Sequence, residues 1–149
     1  MLGGWDSTSF PSGMQAALFV DVDGDSLGDV IAQKDEGDIA IYWLEATDLS
    51  GTSWNQVKVG NVPGASHSLG AQGYKTGQIE AGGKPEILFS SGDGIYYFRI
   101  PTSPTAGSWP RVHVSSNPSD EGFGLADFNR DGHLDIAATT GESKRVEWY

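Results

Sequence analysis

The chain has 149 residues, a formal net charge of -11 and a pI of about 4.4, which excludes nucleic acid and anionic membrane surfaces as expected partners. It contains no cysteine, so a disulfide framework and a thiolate metal site are also excluded. Its 21 glycines, its short β-branched and aromatic runs and its lack of helical periodicity predict one all-β domain over residues 1–149. No segment has the apolar length of a transmembrane span, and the first residues lack the pattern of a signal peptide.

An acidic loop at residues 21–29 follows a short apolar strand predicted at 17–20 and precedes another at 30–32. It reads D-V-D-G-D-S-L-G-D, so alternate positions carry oxygen donors. The side chains at loop positions one, three, five and nine, and the backbone carbonyl at position seven, belong to Asp21, Asp23, Asp25, Asp29 and Leu27. Calcium takes about six to eight oxygen ligands, and four carboxylates this close would repel one another without a cation. The spacing therefore predicts a calcium site.

A second loop with the same spacing, D-F-N-R-D-G-H-L-D, occupies residues 127–135. Its donors, in the same order and again with a carbonyl at position seven, are Asp127, Asn129, Asp131, Asp135 and His133. Position twelve is Ala32 in the first loop and Ala138 in this one, which excludes an EF-hand, because its twelfth residue is acidic. The alternative is a polar hairpin turn without a metal, since Asp, Asn and Gly are common in turns. Two loops with one spacing favour calcium, so we expect two calcium sites.

The loop between them, Q-I-E-A-G-G-K-P-E at residues 78–86, is a degraded copy. The residues at its four side-chain ligand positions are Gln78, Glu80, Gly82 and Glu86. Gly82 offers no side-chain oxygen, and Lys84 brings a positive charge to the loop. We expect no calcium here, or only a weak site, with the turn held by Gly82, Gly83 and Pro85.

An internal repeat is marked by Trp5, Trp54 and Trp109, which recur at intervals of 49 and 55 residues. A unit of about 50 residues with four short strands has the size of a β-propeller blade. We expect an outer strand near residues 5–10 and blades at about 15–60, 68–115 and 122–149, the last completed by a strand from elsewhere. The predicted fold is an all-β propeller with four-stranded blades, of which this chain supplies about three.

The sequence G-F-G-L-A-D at residues 122–127 with its loop, and the strand V-E-W-Y at 146–149, resemble the FG-GAP/VCBS type of propeller repeat. The resemblance extends over all three repeats. Repeats of this type also occur in integrin α-subunit heads, in some fungal lectins and in propeller-fold polysaccharide lyases. The resemblance implies calcium-binding blades, and it is specific for the fold and poorly specific for the activity.

His67 and Tyr74 lie at the inner strand predicted for the middle repeat, seven residues apart. They are candidates for the base and acid of a lyase that abstracts a proton beside a uronate carboxylate. Some propeller-fold polysaccharide lyases are similar in using a His and a Tyr. The alternative, which the sequence favours, is structural: His67 hydrogen-bonds to a neighbouring blade and Tyr74 packs.

Aromatic pairs on the predicted third strands are candidates for stacking on sugar rings. The pairs are Tyr42/Trp43, Tyr96/Tyr97 and Trp148/Tyr149. Because successive strand residues point to opposite faces, one member of each pair is expected between blades, and we interpret Trp43 and Trp148 as core residues.

The expected function is that of a calcium-stabilised β-propeller segment of an extracellular protein that binds carbohydrate or acts on polysaccharide. The extracellular location follows from calcium, because loops of millimolar affinity are filled outside cells. A propeller-fold polysaccharide lyase and an integrin-like protein-binding adhesion module are the alternatives. Expected partners are a glycan or polysaccharide, and either the rest of a larger propeller or a second copy of the chain, without nucleic acid or membrane insertion.

Overall fold

The computed structural model describes residues 10–36, 38–63, 74–91, 93–117, 119, 122–140 and 145–149. These residues form eleven β-strands and one short 3₁₀ helix at Pro104–Ala106, which confirms the prediction of an all-β chain. The strands are β1 (Met14–Val20), β2 (Asp29–Asp35), β3 (Ile39–Ala46), β4 (Trp54–Val62), β5 (Tyr74–Gly77), β6 (Glu86–Ser91), β7 (Gly94–Phe98), β8 (Arg111–Ser115), β9 (Phe123–Ala126), β10 (Asp135–Thr140) and β11 (Arg145–Trp148). No helix in the described ranges has the length and apolarity needed to cross a membrane.

The strands form three antiparallel sheets in which each strand pairs with its neighbour in sequence. The first sheet contains β1 to β4, the second contains β5 to β8, and the third contains β9 to β11 with β10 in the centre. The predicted four-strand order is therefore present twice, and the third sheet has three strands among the described residues. No closed ring of sheets is present in this part of the chain.

The second sheet lies between the other two, and this explains its sequence. Every residue of β6 and β7 is buried, so these strands contain the unbroken apolar runs I-L-F and I-Y-Y-F, without the alternation of a half-exposed strand. The strand β8, at the edge of the sheet, does alternate between exposed and half-buried residues along R-V-H-V. The central strands β6 and β7 are therefore covered on both faces, whereas β8 keeps one face exposed to solvent.

The sheets stack through opposite faces. One face of the first sheet, with Ile31 and Trp43, shares a core with Ile87 and Phe89 of the second sheet. The other face of the second sheet shares a second core with the third sheet, formed by Leu88, Ile95, Tyr97, Phe123, Ile136 and Ala138. The first strands of the sheets lie side by side, since β5 contacts both β1 and β9. The second sheet therefore uses one face for the first sheet and the opposite face for the third sheet.

The tryptophans differ in burial. Trp109 is buried beside Trp43, with 6.1 Å between ring centroids, and it precedes β8, which begins at Arg111 because Pro110 has no N–H for the sheet. The interpretation of Trp148 as a core residue is wrong for this chain, because its side chain is 58% exposed. Trp54 is half-buried, with its ring 5.3 Å from that of Phe10 between centroids. Trp5 and most of the strand predicted near residues 5–10 lie outside the described residues.

Candidate calcium loops

Each sheet has one loop of the same kind, between its first two strands. The predicted loops join β1 to β2 in the first sheet, β5 to β6 in the second and β9 to β10 in the third. The sequence-based placement of these loops in hairpins between strands is therefore correct. We refer to them as the first, middle and third loops.

The first and third loops share a backbone conformation that the middle loop lacks. Positions four and six are left-handed in both, at Gly24 (φ 87°), Ser26 (φ 71°), Arg130 (φ 66°) and Gly132 (φ 91°). In the middle loop the left-handed residues are Gly82 and Gly83, at positions five and six. A left-handed conformation costs an ordinary residue such as Ser26 or Arg130 about 1–2 kcal/mol. The hydrogen bonds of the loop must therefore hold this shape.

Three hydrogen bonds with the same spacing stabilise both loops. The carboxylate at position one accepts from the N–H of position six, at 3.1 Å for Asp21 and 3.0 Å for Asp127. The side chain at position three accepts from the N–H of position five, and that at position five accepts from the N–H of position seven. The acceptors in these last two bonds are Asp23, Asp25, Asn129 and Asp131. Alternate side chains are thus folded back toward the backbone of each loop. Among the described residues, a group of three converging carboxylate oxygens is found in the first loop, without Asp25, and not in the third.

The acidic side chains of the first loop form a group that fits a cation. One carboxylate oxygen from each of Asp21, Asp23 and Asp29 lies within 4.8 Å of the others. Burial raises the pKa of Asp23, and the nearby charges of Asp25 and Asp29 raise it further. This carboxylate is thus held where its negative charge is unfavourable, a cost that a hard cation would remove. Carboxylate oxygens are the donors that calcium prefers.

The pKa of Asp131 in the third loop shifts in the other direction. The N–H of His133 donates to its carboxylate and lowers the pKa of Asp131, so this side chain stays charged and available to a cation. His133 itself is exposed, and its backbone N–H is the group that contributes to the loop's hydrogen bonding. The backbone position of Leu27 in the first loop is equivalent, because its N–H donates to Asp25.

Position nine has a structural role in every loop. Asp29, Glu86 and Asp135 are all buried, and each accepts a hydrogen bond of 2.8–3.0 Å from the N–H of position two. Asp29 also accepts from the N–H of Ala46, at 2.9 Å. This carboxylate therefore closes the hairpin even in the middle loop, where we expect no calcium or a weak site. A carboxylate has about four lone-pair sites, so this role is compatible with a metal ligand at Asp29 and Asp135.

In the middle loop, an amide group occupies the centre. The Nε2 atom of Gln78 donates to the carbonyl oxygens of Glu80 and Gly82, at 2.5 and 2.7 Å. The side chain of Glu80 instead points to Arg99, whose Nε lies 2.7 Å from Oε2, and this pairing with Arg99, helped by a hydrogen bond from Tyr97, lowers the pKa of Glu80. The oxygen atoms that would bind a cation already accept hydrogen bonds from Gln78 and Arg99. This is a physical reason to expect no calcium, or only a weak calcium site, in the middle loop.

Lys84 of the middle loop makes a contact that the sequence did not predict. Its Nζ donates to the backbone oxygen of Val22 in the first loop, at 2.6 Å, and so joins the first two sheets. From the sequence, Lys84 was predicted only to bring a positive charge to position seven of the middle loop. Its partner is 62 residues away in the chain, and only the stacking of the two sheets brings the groups together.

Of the candidate lyase pair, His67 and Tyr74, the structure describes Tyr74. Tyr74 is 4% exposed, its hydroxyl donates to Oε1 of Gln33, and its ring meets Phe89 edge to face with centroids 4.9 Å apart. Burial raises the pKa of Tyr74 well above its usual value. This is the position of a packing residue between the first two sheets. His67 lies outside the described residues, so its pairing with Tyr74 stays a prediction.

No family model, curated protein or solved structure matches this chain. The resemblance to calcium-binding propeller repeats therefore rests on the sequence of the loops and strands alone. The function has to be argued from the loops and from the way in which the sheets stack.

Proposed function

We propose that this chain is a calcium-stabilised segment of a β-propeller, in an extracellular protein that binds carbohydrate or acts on polysaccharide. The propeller part is supported by the repeated four-strand order, by the stacking of the sheets through opposite faces and by the row of first strands β1, β5 and β9. Sheets of this size arranged around a common axis make up the blades of a propeller.

The observation that carries the calcium proposal is the shared geometry of two loops that are about 100 residues apart in the chain. Identical positions are left-handed, and three hydrogen bonds recur with the same spacing. A turn without a metal needs only one of its polar residues to close, whereas both loops carry oxygen-bearing side chains at positions one, three, five and nine. In the first loop, Asp21, Asp23 and Asp29 bring three carboxylate oxygens within 4.8 Å of one another. The residues that would hold the ion in the first loop are Asp21, Asp23, Asp25, Asp29 and the carbonyl of Leu27. Those of the third loop are Asp127, Asn129, Asp131, Asp135 and the carbonyl of His133.

The role that we propose for calcium is to stabilise the hairpins. A bound cation would neutralise the clustered carboxylates. Because its ligands come from one loop that connects the first two strands of a sheet, it would also hold these two strands together. Burial and like charge work against ionised Asp23, so the largest gain is expected in the first loop. Loops of this kind reach millimolar affinity, which suits an extracellular setting.

Carbohydrate binding is proposed from the resemblance to lectin and lyase propellers together with the acidic, aromatic-rich composition. It is not expected to use the aromatic pairs on the third strands of the first two sheets, because Tyr42, Tyr96 and Tyr97 are all less than 10% exposed. A glycan site should therefore lie at the loops or at the exposed ends of the strands.

The first test is calorimetric titration of the metal-free protein with calcium, in which we expect two ions per chain. Asp25→Asn and Asp131→Asn should each remove one ion, and magnesium, which requires strict octahedral geometry, should bind more weakly. A protein that takes up no calcium at millimolar concentration would refute the calcium proposal.

A glycan array with calcium and with chelator tests the proposed carbohydrate binding. The appearance of unsaturated uronates from an acidic polysaccharide would indicate the lyase.

A further inference from the structure

The third sheet has an apolar face that the other described sheets leave exposed to solvent. The pairing register places Trp148 and Val146 of β11 on the side opposite to the one that packs on the second sheet. Trp148 is 58% exposed and Val146 is 74% exposed. Phe128, at position two of the third loop, is 52% exposed as well. We call the side of the third sheet that carries Trp148 and Val146 the open face.

In the other two sheets, a neighbouring sheet covers the equivalent positions. Trp43 in the first sheet and Tyr97 in the second occupy the register position of Trp148, and they are 0% and 8% exposed. Val22, the equivalent of Phe128, is fully buried in the core between the first and second sheets. The open face is thus a position at which one sheet packs on another, so its expected occupant is a further β-sheet.

A second copy of the chain offers one such surface among its described sheets. Its second sheet is covered on both faces. The outer face of its first sheet is closed, because five residues there are at most 8% exposed, with Phe10, Met14 and Trp54 packed against them. The surface that remains is the open face of the third sheet. Two copies would therefore meet through the same surface, as in a two-fold dimer.

The open face has a shape that fits itself. Along one row across the sheet, the side chains fall in size from Trp148 on β11 through Ala137 on β10 to Gly124 on β9. In the first sheet, the position of Gly124 is held by Leu18. A Cβ added at Gly124 meets nothing within 4 Å. The face therefore has a ridge along β11 and a trough above β9.

The strands of the open face carry no exposed charge, in a chain whose net charge is -11. Arg145 and Glu147 of β11 lie on the opposite face, because side chains alternate along a strand. Among the described residues on the open side of β9, β10 and β11, Asp135 alone is ionisable, and it is only 7% exposed. Two copies can therefore bring these strands together without placing exposed carboxylates against each other.

We propose that two copies of this chain pair through their open faces, with the two-fold axis parallel to the strands. This axis lays the ridge of each copy over the trough of the other, so that Trp148 packs above Gly124 of the other copy and the two β10 strands meet at Ala137. The pairing goes beyond the proposed function, and it depends neither on calcium nor on a glycan.

The size of the contact sets the expected strength of the dimer. From their exposed fractions, Trp148, Phe128 and Val146 contribute roughly 300–400 Å² of accessible surface in each copy. A standard interface buries about 800 Å² per partner, so this dimer is weak and reversible. It should therefore be sought by sedimentation at about 200 μM protein.

Charge complementation at Ala137 tests the pairing. Ala137→Glu and Ala137→Lys each place like charges opposite each other at the two-fold axis, so either variant alone should dimerise at least tenfold more weakly than the wild-type chain. Mixed in equal amounts, the two variants should form more dimer than either alone, because Glu then meets Lys. At about 0.15 M salt such close charges are still felt. A mixture with no gain in dimer overturns the proposal.

A change of size in the same row gives a second test, which holds if thermal melting shows that the charged variants are unfolded. Gly124→Leu fills the trough and should weaken the dimer at least tenfold, because Trp148 of the other copy loses its place. Adding Trp148→Ala to the same chain should restore part of the affinity, since the new leucine takes the space that the tryptophan leaves. An unchanged dimer in Gly124→Leu overturns the proposal.

Two matched controls lie away from the open face. Phe19→Glu changes a residue that is 68% exposed on the first sheet, and Leu49→Glu one that is 92% exposed in the turn between β3 and β4. Both variants should remain dimeric, and dissociation of either would overturn the proposal because the effect of charge would then be unspecific.

The state of the wild-type chain decides between the open face as a protein contact and as a sugar platform. A monomer at this concentration overturns the pairing, and a glycan that changes the fluorescence of that monomer but not of Trp148→Ala would assign the face to carbohydrate. Calcium titration of the same samples separates the two proposals. A monomer that binds two calcium ions overturns the pairing alone, and a dimer that binds none overturns the calcium proposal alone.

Discussion

The ammonium group of Lys84, in the middle loop, donates a 2.6 Å hydrogen bond to the backbone oxygen of Val22, in the first loop. Val22 stands between Asp21 and Asp23, two of the proposed calcium ligands. A cation of the protein itself therefore lies beside the candidate site of the neighbouring sheet. It joins the two sheets and places a positive charge next to the backbone of the first loop.

Lys84→Met should lower the stability of the metal-free protein by about 1–2 kcal/mol, because a charged, half-buried hydrogen bond is lost. The same change should raise the calcium affinity of the first loop by roughly threefold, since a competing positive charge is removed. Thermal melting with chelator and calorimetric titration measure the two effects. Lys75→Met, at an exposed lysine of the same sheet, is the control and should change neither. Equal affinities in both variants would mean that Lys84 acts only as a link between sheets.

Asp131→Asn should distinguish the stability that comes from the turn from the stability that comes from bound calcium. Asparagine can still accept the hydrogen bond from the N–H of His133, so melting in chelator should change little. The charge is lost, so calcium should raise the melting temperature by about half as much as in the wild-type protein. Asp48→Asn is a matched control, because Asp48 accepts a similar bond from Ser50, at 2.7 Å, in a turn outside the loops. If both variants respond to calcium as the wild-type does, the third loop is a turn without a metal.

Gln78→Glu should destabilise the middle loop whether or not calcium is present. The change replaces an amide that donates to the carbonyls of Glu80 and Gly82 with an oxygen that repels them. We expect a loss of about 1 kcal/mol, measured by denaturant unfolding, since the loop is partly open to water. Gln56→Glu on the exposed side of β4 is the control. If calcium restored the stability of Gln78→Glu, the prediction would be wrong, because a carboxylate at position 78 would then have created a metal site in the middle loop.

Gly60→Ala tests the packing of the first sheet on the second. A Cβ at Gly60 would lie 2.7 Å from Cε1 and 3.0 Å from Cζ of Phe98, whose side chain is only 1% exposed. The ring has little room to move, so we expect a loss of about 1–3 kcal/mol. Gly124→Ala, where a Cβ meets nothing within 4 Å, should have little effect. Equal unfolding midpoints for the two variants would argue against this close approach.

The carboxylate of Glu36 predicts a small pH dependence of stability. A hydrogen bond from Lys58, at 2.8 Å, and a second from Tyr42 lower the pKa of Glu36 from 4.5 to about 2. Because the folded-state pKa is the lower one, the stabilisation is present above about pH 4.5 and is lost as the pH falls toward 2. Melting of the wild-type protein and of Glu36→Gln should therefore differ at pH 6 and converge near pH 2, by a small amount because the pair is exposed. A difference that stays constant over this range would exclude the ion pair as its cause.

Local chemistry determined much of this protein from sequence alone. The loops at residues 21–29 and 127–135 close through side-chain bonds to N–H groups two to five residues away, and such bonds depend only on residue type and spacing. The strands on either side follow from short apolar runs between polar turns, so the all-β class and the hairpin position of the loops were predictable.

Only the tertiary structure decided which of these residues are buried and what they contact. Trp43 and Trp148 occupy equivalent positions in their sheets, yet one is fully buried and the other is 58% exposed, because a following sheet covers only the first. Lys84 became a link between sheets through a partner that spacing along the chain does not reveal. Burial and long-range contacts depend on which sheet stacks against which, and that order arises from the packing of the whole chain.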